Sequence, residues 1–294
     1  MEHRCGTVAV VGAPNVGKST LLNALLGQKI AIVSPKPQTT RRNLLGVLTE
    51  PEYQIAFVDT PGVSHPKHLL GARMAQAAHQ ALLSADVVML VTDVSRLPGE
   101  FDWRVAKMLA RVDGAKLLVL NKMDRLPPEK VQRHCDAHWA LLPECPWMMI
   151  SARKRDNLDR LLALLVPLLP EGPPLYPEDQ VTDAPMRFLA AELVREQVLL
   201  RTRQEVPHST AVLTETWEER PDGPVYIGAT VYVERDAHKA IVLGKGGQML
   251  KSIGASARKG IEEMLQRPVY LDLWVKVKQG WRERPGTLHE LGLD

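Results

Sequence analysis

Residues 12–19 read GAPNVGKS and match the pattern GxxxxGK[ST], in which glycines precede a lysine and a hydroxyl side chain. The match lies between an apolar run at residues 7–11 and the helical pattern TLLNALLG, the context that such a loop requires. Here backbone N–H groups surround phosphate oxygens, the lysine neutralises the β- and γ-phosphates, and the serine hydroxyl binds Mg²⁺. We therefore predict a triphosphate site formed by Gly12, Ala13, Pro14, Asn15, Val16, Gly17, Lys18 and Ser19.

A second polar segment follows the apolar run KLLVL and indicates which base the site binds. It consists of Asn121, Lys122, Met123 and Asp124. A carboxylate can accept hydrogen bonds from guanine N1–H and the 2-amino group. Adenine has no 2-amino group and its N1 is itself an acceptor, so placing a carboxylate against adenine costs on the order of 1–3 kcal/mol. Asp124 therefore favours guanine, while Asn121 hydrogen-bonds the base edge and braces the loop. Ser151 and Ala152, after the run WMMI, are a weaker candidate contact, with the Ala152 N–H facing guanine O6.

A third polar segment follows the run QIAFV and predicts metal and γ-phosphate contacts. Its residues are Asp59, Thr60, Pro61, Gly62 and the following Val63. Asp59 is placed to hold Mg²⁺ through a water, and the Gly62 N–H to contact the γ-phosphate. Ras-like proteins carry a glutamine next, which orients the attacking water. Because the valine side chain cannot hydrogen-bond water, we expect slow hydrolysis.

Apolar periodicity places these segments in an α/β fold. Runs of Val, Leu and Ile alternate with amphipathic segments, which is typical of a mostly parallel sheet covered by helices. The expected strands are residues 7–11, 54–59, 87–93, 116–122 and 147–151, and the expected helices are 71–85, 99–112 and 157–169. A proline-rich stretch follows. We predict a P-loop nucleotide-binding domain over residues 1–170, a linker over 171–185 and a smaller α+β domain over 186–294.

The second predicted domain contains a GxxG segment between two helical patterns. Glycines there let a nucleic-acid backbone approach main-chain N–H groups, and lysines attract phosphates. From Ala237 to Arg282, nine Lys or Arg residues oppose three Asp or Glu residues, so this segment carries +6. The alternative is a glycine-rich helix turn with a solvated basic face. The candidate RNA contacts are Gly244, Lys245, Gly246, Gly247 and Lys251.

The ordered set GAPNVGKS, PQTTR, DTPG, NKMD and SAR resembles the Era family of GTPases, and IVLGKGGQMLKSIG resembles the core of a type II KH domain. In that family the threonine before the arginine of QTTR is the switch I ligand of Mg²⁺, which implies Thr40 here. The resemblance thus implies metal contacts at Ser19, Thr40 and Asp59, and catalytic roles for Lys18, Thr40 and Gly62. Residues 34–42 are rich in Pro, Thr and basic residues, and we expect a mobile switch there.

The resemblance also implies function. The expected cofactors are GTP or GDP with Mg²⁺, and the expected partners are the 3′ region of 16S rRNA and the 30S ribosomal subunit, whose assembly and rRNA processing the protein would assist. It further implies K⁺ near Asn15, with a plain turn residue as an equal alternative. Weak peripheral association with the inner face of the cell membrane is implied too, although the sequence shows no amphipathic anchor.

Composition narrows the class further. The whole chain carries only +3, and its three cysteines lack CxxC spacing, which favours a reducing cytoplasm. No apolar signal core begins the chain, and no uncharged stretch approaches about 20 residues. We expect a cytoplasmic protein that does not bind DNA. We interpret His134 and His138 as residues of a solvent-facing helix rather than as zinc ligands.

Two rival functions stay open. In one, the GxxG domain holds a protein and the nucleotide domain gates that contact. In the other, the chain assists an RNA-modifying enzyme.

Overall fold

The computed structural model describes residues 3–62, 68–219, 221 and 223–293, and the chain separates into two units. The first unit holds most of the chain up to Asp183. The second holds the remainder, together with the short segment Ile32–Thr39 and the residues that begin the helix after position 68. Val63, which we predicted to contact nucleotide, lies outside the described residues.

The first unit contains a six-stranded sheet with the order β2-β3-β1-β4-β5-β6. All neighbouring strands pair in parallel except β2, which runs antiparallel to β3. The predicted α/β fold with a mostly parallel sheet is thereby confirmed. The strands are β1 (Arg4–Val11), β2 (Leu44–Glu50), β3 (Tyr53–Asp59), β4 (Val87–Asp93), β5 (Ala115–Asn121) and β6 (Trp147–Met149).

Five helices flank this sheet among the described residues. Central strand β4 is buried at every position, and its apolar run from Val87 to Val91 suits a strand that helices cover on both faces. The helices are α1 (Lys18–Leu26), α2 (Leu69–Ser84), α3 (Glu100–Leu109), α4 (Val131–Trp139) and α5 (Leu158–Leu165).

Strand β2 was not predicted, because a glycine interrupts its apolar run. A Cβ at Gly46 would lie 2.6 Å from a methyl carbon of Leu26 and 2.9 Å from one of Leu22. Glycine is therefore required for α1 to pack closely against this edge strand. The apolar periodicity of the sequence does not reveal that requirement.

The second unit contains a three-stranded sheet with the order β7-β8-β9, in which β7 and β8 are antiparallel and β8 and β9 are parallel. Its chain order of helix, two strands, helix pair and strand agrees with the prediction. The turn expected between β7 and β8 includes Arg220 and Asp222, which lie outside the described residues. The elements are α6 (Met186–Arg201), β7 (Ala211–Glu218), β8 (Val225–Val233), α7 (Asp236–Leu243), α8 (Gln248–Leu265), β9 (Val269–Val277) and α9 (Pro285–Glu290).

Alternating residues of β8 and one face of α8 form the core of the second unit. Ile227, Ala229 and Val231 are fully buried on one face of the strand. Ile253 and Ile261 are fully buried on the helix and belong to the same apolar cluster. Val242 of α7 belongs to the same cluster, so both helices that flank the α7–α8 turn pack into this core. In the described part of the chain, no helix is long and apolar enough to cross a membrane.

Candidate nucleotide and RNA sites

The loop between β1 and α1 depends on two glycines with positive φ. Gly12 has φ 153°, and a Cβ there would lie 2.2 Å from the backbone oxygen of Val91. Gly17 has φ 103°, and a Cβ would lie 2.4 Å from the Asn121 side-chain nitrogen. Because any side chain would displace neighbouring strands or loops, only glycine gives this loop its shape.

Lys18 lies inside the same loop. Its Nζ donates to the carbonyl oxygens of Gly12, at 3.2 Å, and Ala13, at 3.3 Å, and the residue is buried. Burial lowers the pKa of the Lys18 ammonium, and the Asp59 carboxylate opposes that shift. A bound phosphate would supply the compensating negative charge that this buried cation needs.

Three oxygen-bearing side chains converge beside Lys18. The Ser19 hydroxyl donates to Asp59 Oδ2 at 2.6 Å, and the Thr40 hydroxyl donates to the same oxygen at 3.3 Å. The Ser19 and Thr40 hydroxyl oxygens are 3.1 Å apart. The structure thus brings the three predicted metal contacts together, although they come from α1, β3 and the segment before β2.

The Asp59 carboxyl group tests whether Mg²⁺ suits this cluster. Asp59 is fully buried, and within the described residues its Oδ1 has no hydrogen-bond partner. Burial raises the pKa of Asp59, although Lys18, Ser19 and Thr40 act in the opposite direction. A buried carboxylate with one unpaired oxygen, whose other oxygen contacts two hydroxyl groups, fits a hard divalent cation that prefers oxygen ligands.

Asn121 ties the candidate base-binding loops together at the ends of β5 and β6. Its Nδ2 donates to the Val16 carbonyl at 2.9 Å, and its Oδ1 accepts from the Ala152 N–H at 3.0 Å. The Ser151 hydroxyl donates to Asp124 Oδ1 at 2.7 Å, which orients that carboxylate. The arrangement gives Asn121 a bracing contact to both loops. It also shows that the Ala152 N–H, predicted to face guanine O6, is directed at Asn121.

The segment after β3 approaches the phosphate loop. A Cβ at Gly62 would lie 3.2–3.3 Å from three atoms of Pro14, so the backbone passes close by. Thr60 faces away from the site, because its hydroxyl donates to the Val10 carbonyl at 2.8 Å and its side chain is fully buried. Pro61 is buried as well. Thr60 therefore joins β3 to β1, a structural contact that its motif did not reveal.

The glycine-rich turn of the second unit joins α7 to α8. Gly244, Gly246 and Gly247 all have positive φ, at 70°, 58° and 77°. A Cβ at Gly244 would lie 2.6 Å from the Met249 side chain, whereas nothing lies within 4 Å at Gly246 or Gly247. Lys245 and Lys251 are exposed beside them. The first glycine shapes the turn, and the other two leave room for a closely approaching backbone.

Ion pairs offset part of the positive charge of this unit. Five of the nine basic residues from Ala237 to Arg282 pair with carboxylates, four of which lie outside that segment. Within the part of the chain that the structure describes, no ion pair involves the other four, which lie on α7, in the turn and on α8. These four are Lys239, Lys245, Lys251 and Lys259.

Comparison with known proteins decides the family. Residues 7–122 match the family described as 50S ribosome-binding GTPase, and residues 205–282 match the KH domain. GTPase Era of Heliobacterium modesticaldum is 44% identical over 291 residues, covering 99% of this chain and 97% of that protein. GTPase Era of Alkaliphilus oremlandii is 44% identical and covers all of both chains. The chain belongs to the Era family of GTPases.

Solved structures of Era agree in fold. A crystal structure of Era in complex with MgGDPNP and nucleotides 1506–1542 of 16S ribosomal RNA superimposes with TM-score 0.94, at 43% identity, covering 99% of both chains. A variant of Aquifex aeolicus Era bound to GDP and AlF₄⁻ gives TM-score 0.93 at 42% identity, again over 99% of both chains. The predicted resemblance to Era is therefore confirmed.

One polar residue of this Era-family nucleotide site was missed by the sequence motifs. Asp93 ends β4 and accepts from Lys122 Nζ at 2.7 Å, while the same ammonium donates to the Asn15 carbonyl at 2.6 Å. The signal was available, since Asp93 ends an apolar strand at the same sheet edge as Asn121.

The interpretation of α4 as a solvent-facing helix is wrong at two residues. His134 and His138 are buried, where a ring nitrogen of each lies 2.7 Å and 2.9 Å from the carbonyl oxygens of Val94 and Arg96. These imidazoles attach α4 to the loop after β4. The described residues contain no cluster of three or more side chains suited to holding a metal by His, Cys, Asp or Glu.

Proposed function

We propose that this chain is a GTP-hydrolysing switch that binds the 3′ region of 16S rRNA through its KH domain and assists 30S subunit assembly and rRNA processing. The convergence of Ser19, Thr40 and Asp59 beside Lys18 carries the nucleotide half of this proposal. Support for the RNA half comes from the GxxG turn and from the Era complex that contains nucleotides 1506–1542 of 16S rRNA. The domain boundaries remain those predicted, at residues 170 and 185.

In the proposed site the loop from Gly12 to Ser19 binds the phosphates through its N–H groups. Lys18 leaves its two carbonyl partners and pairs with the β- and γ-phosphates. Ser19 and Thr40 would hold Mg²⁺ directly, and Asp59 would hold it through a water. The metal, when bound, neutralises charge on the β- and γ-phosphates.

Base selection rests on Asp124, which accepts from guanine N1–H and the 2-amino group. The Ser151 hydroxyl holds one carboxylate oxygen, and the second oxygen completes the pair of acceptors that guanine needs. Lys122 and Met123 form the rest of the loop that carries this carboxylate, and Asn121 joins the loop to Val16. Guanine is therefore recognised by a carboxylate whose orientation is set by the Ser151 hydrogen bond before the nucleotide binds.

Hydrolysis in the proposed switch lacks a glutamine to orient the attacking water. Lys18 and the Gly62 N–H would stabilise charge on the γ-phosphate, and Thr40 would order with it. We propose that K⁺ near Asn15 supplies further positive charge. Asn15 has φ 63°, a conformation that suits a turn residue equally well. Single-turnover hydrolysis in KCl should exceed that in NaCl, and equal rates would remove the K⁺ part of the proposal.

RNA binding is assigned to the turn between α7 and α8. The N–H groups of Gly246 and Gly247 would contact the RNA backbone, and Lys245 and Lys251 its phosphates. The double variant Lys245→Asp and Gly246→Asp should abolish binding of a 16S rRNA 3′ oligonucleotide while GTP affinity stays unchanged. Reversing the charge of the exposed Lys107 on α3, by Lys107→Asp, is the matched control and should preserve RNA affinity. Unchanged RNA affinity in the double variant would contradict the assignment.

A conformational link between nucleotide and RNA is supported by the segment Ile32–Thr39, which belongs to the second unit. There the Val33 N–H donates to Glu196 at 2.9 Å, and the Arg195 guanidinium donates to the Thr39 carbonyl. Thr40 is the next residue along the chain. We expect RNA affinity to differ about 5- to 150-fold between GDP and a non-hydrolysable GTP analogue, and Arg195→Ala to reduce that difference. Equal affinities in both nucleotide states would contradict the switch.

Two simple experiments separate the rival functions. RNase treatment should release cellular partners from the immobilised protein, whereas a partner that persists would favour a protein-binding KH unit. A stoichiometric RNA-modifying enzyme among those partners would favour an accessory role. The proposal places the protein in the cytoplasm with the small ribosomal subunit. Sedimentation with anionic vesicles tests the weak peripheral membrane association.

A further inference from the structure

Asp93 lies where the phosphate loop and the base-binding loop come together. It is the last residue of β4 and pairs in register with Asn121, the last residue of parallel strand β5. Only 9% of its surface is exposed. A buried carboxylate at this position requires compensating partners.

The partners of Asp93 connect three segments of the chain. Its Oδ1 accepts from the Ser95 hydroxyl at 2.6 Å and from the Ser95 N–H at 3.2 Å, which fixes the carboxylate on its own strand. Its Oδ2 accepts from Lys122 Nζ at 2.7 Å, and Lys122 Nζ also donates to the Asn15 carbonyl at 2.6 Å. One ammonium group therefore joins β4 to the phosphate loop.

Backbone conformation makes this connection more than an ordinary ion pair. Lys122 has φ 68° and Asn15 has φ 63°, so both ends of the Lys122–Asn15 hydrogen bond lie in left-handed residues that are not glycine. Such residues persist only where surrounding contacts hold them. Burial raises the pKa of Asp93, but the hydrogen bonds from Lys122 and Ser95 outweigh burial and leave the pKa below its ordinary value. The carboxylate is therefore charged at neutral pH.

We propose that Asp93 is a positioning residue of the nucleotide site, which holds the Lys122 ammonium on the Asn15 carbonyl and so fixes the phosphate loop and the base-binding loop together. This inference rests on the proposed function, since it concerns the same GTP site. Without Asp93, the partly exposed Lys122 side chain would turn toward solvent. The two left-handed residues would then lose a shared constraint, and bound nucleotide would leave faster.

The test is the rate of GDP release from the full-length protein, followed by the fluorescence of a labelled GDP. Asp93→Asn and Lys122→Met should each accelerate release roughly tenfold or more, as loss of a charge-assisted hydrogen bond implies. The decisive variant combines both substitutions. If Asp93 acts through Lys122, the double variant should release GDP within about twofold of Lys122→Met. Multiplied effects, or a wild-type rate in Asp93→Asn, would overturn the proposal.

Asp102→Asn is the matched control, because Asp102 is a buried carboxylate that caps α3 through the Gly99 N–H at 2.8 Å. It should lower thermal stability and leave GDP release unchanged. If Asp93→Asn does not fold, Asp93→Ser removes the charge with a smaller side chain and should show the same acceleration. Release at the wild-type rate in Asp93→Ser would also overturn the proposal. Failure of the wild-type protein to bind GDP would instead refute the proposed function.

Discussion

The side chain of Asn121 offers a direct test of how the nucleotide site is held together. Asn121 is 2% exposed and hydrogen-bonds the Val16 carbonyl at 2.9 Å and the Ala152 N–H at 3.0 Å. Replacing it by alanine removes both bonds and leaves two buried backbone groups without partners. Each unpaired buried group costs about 1–3 kcal/mol, so for the two groups we expect a loss of about 2–6 kcal/mol.

Thermal unfolding and GDP titration together measure that effect. For a unit of this size a loss of about 2–6 kcal/mol lowers Tm by roughly 4–24 °C. GDP affinity of the folded Asn121→Ala variant should fall roughly tenfold or more, because the phosphate loop and the loop of Ala152 lose their common brace.

Asn23 provides a matched control for this experiment. Its side chain donates to the Ala31 carbonyl at 2.7 Å and accepts from the Ile30 and Ala31 N–H groups at 3.0 Å and 2.9 Å. Asn23→Ala should therefore lower Tm while preserving GDP affinity. If Asn121→Ala behaves like Asn23→Ala, with lower Tm and unchanged GDP affinity, the bracing role of Asn121 is refuted.

Three further predictions concern other parts of the molecule. Gly12→Ala should abolish nucleotide binding, because its Cβ would lie 2.2 Å from a backbone oxygen. Gly27→Ala is the control, since Gly27 has φ 69° with nothing within 4 Å of its Cβ position; it should lower the free energy of unfolding, measured by calorimetry, by only about 1–2 kcal/mol and keep GDP affinity. Burial lowers the pKa of His138, so the unfolded chain binds more protons below about pH 6.5, and stability should fall there by up to about 1.4 kcal/mol per pH unit. Denaturant unfolding from pH 7 to pH 5 should show that slope, and a flatter curve in His138→Gln confirms its origin. Lys251→Ala should reduce the salt dependence of RNA binding by about one unit of the log–log slope, whereas the ion-paired Arg267→Ala should leave it unchanged; equal slopes in both variants would contradict the assignment of phosphate contact to Lys251.

The sequence predicted the fold class and the order of its motifs because those features are local. Residue type and spacing alone predict the phosphate-binding chemistry of Gly12, Gly17 and Lys18. Continuous apolar runs also identified the buried strands. The structure brings Ser19, Thr40 and Asp59 into contact, and we predict that they hold the metal together.

Features that depend on distant partners were missed. The burial of His138 depends on the Arg96 carbonyl, 42 residues earlier in the chain, and no helical pattern could report that contact. Asp93 ends an apolar strand at the same sheet edge as Asn121, which was an available signal, but only the structure shows its contact with Lys122, 29 residues later. Counting the charges from Ala237 to Arg282 also did not reveal the ion pairs, which involve five of the nine basic residues of that segment.

The most direct test of the whole account is a competition titration of the wild-type protein with GDP, IDP and ADP. IDP differs from GDP only by the missing 2-amino group, which Asp124 is proposed to bind. Loss of one hydrogen bond to a charged group should weaken IDP by roughly 10- to 100-fold, and ADP should bind more weakly still. Equal affinity for the three nucleotides would contradict the assignment of Asp124 as the guanine-reading residue.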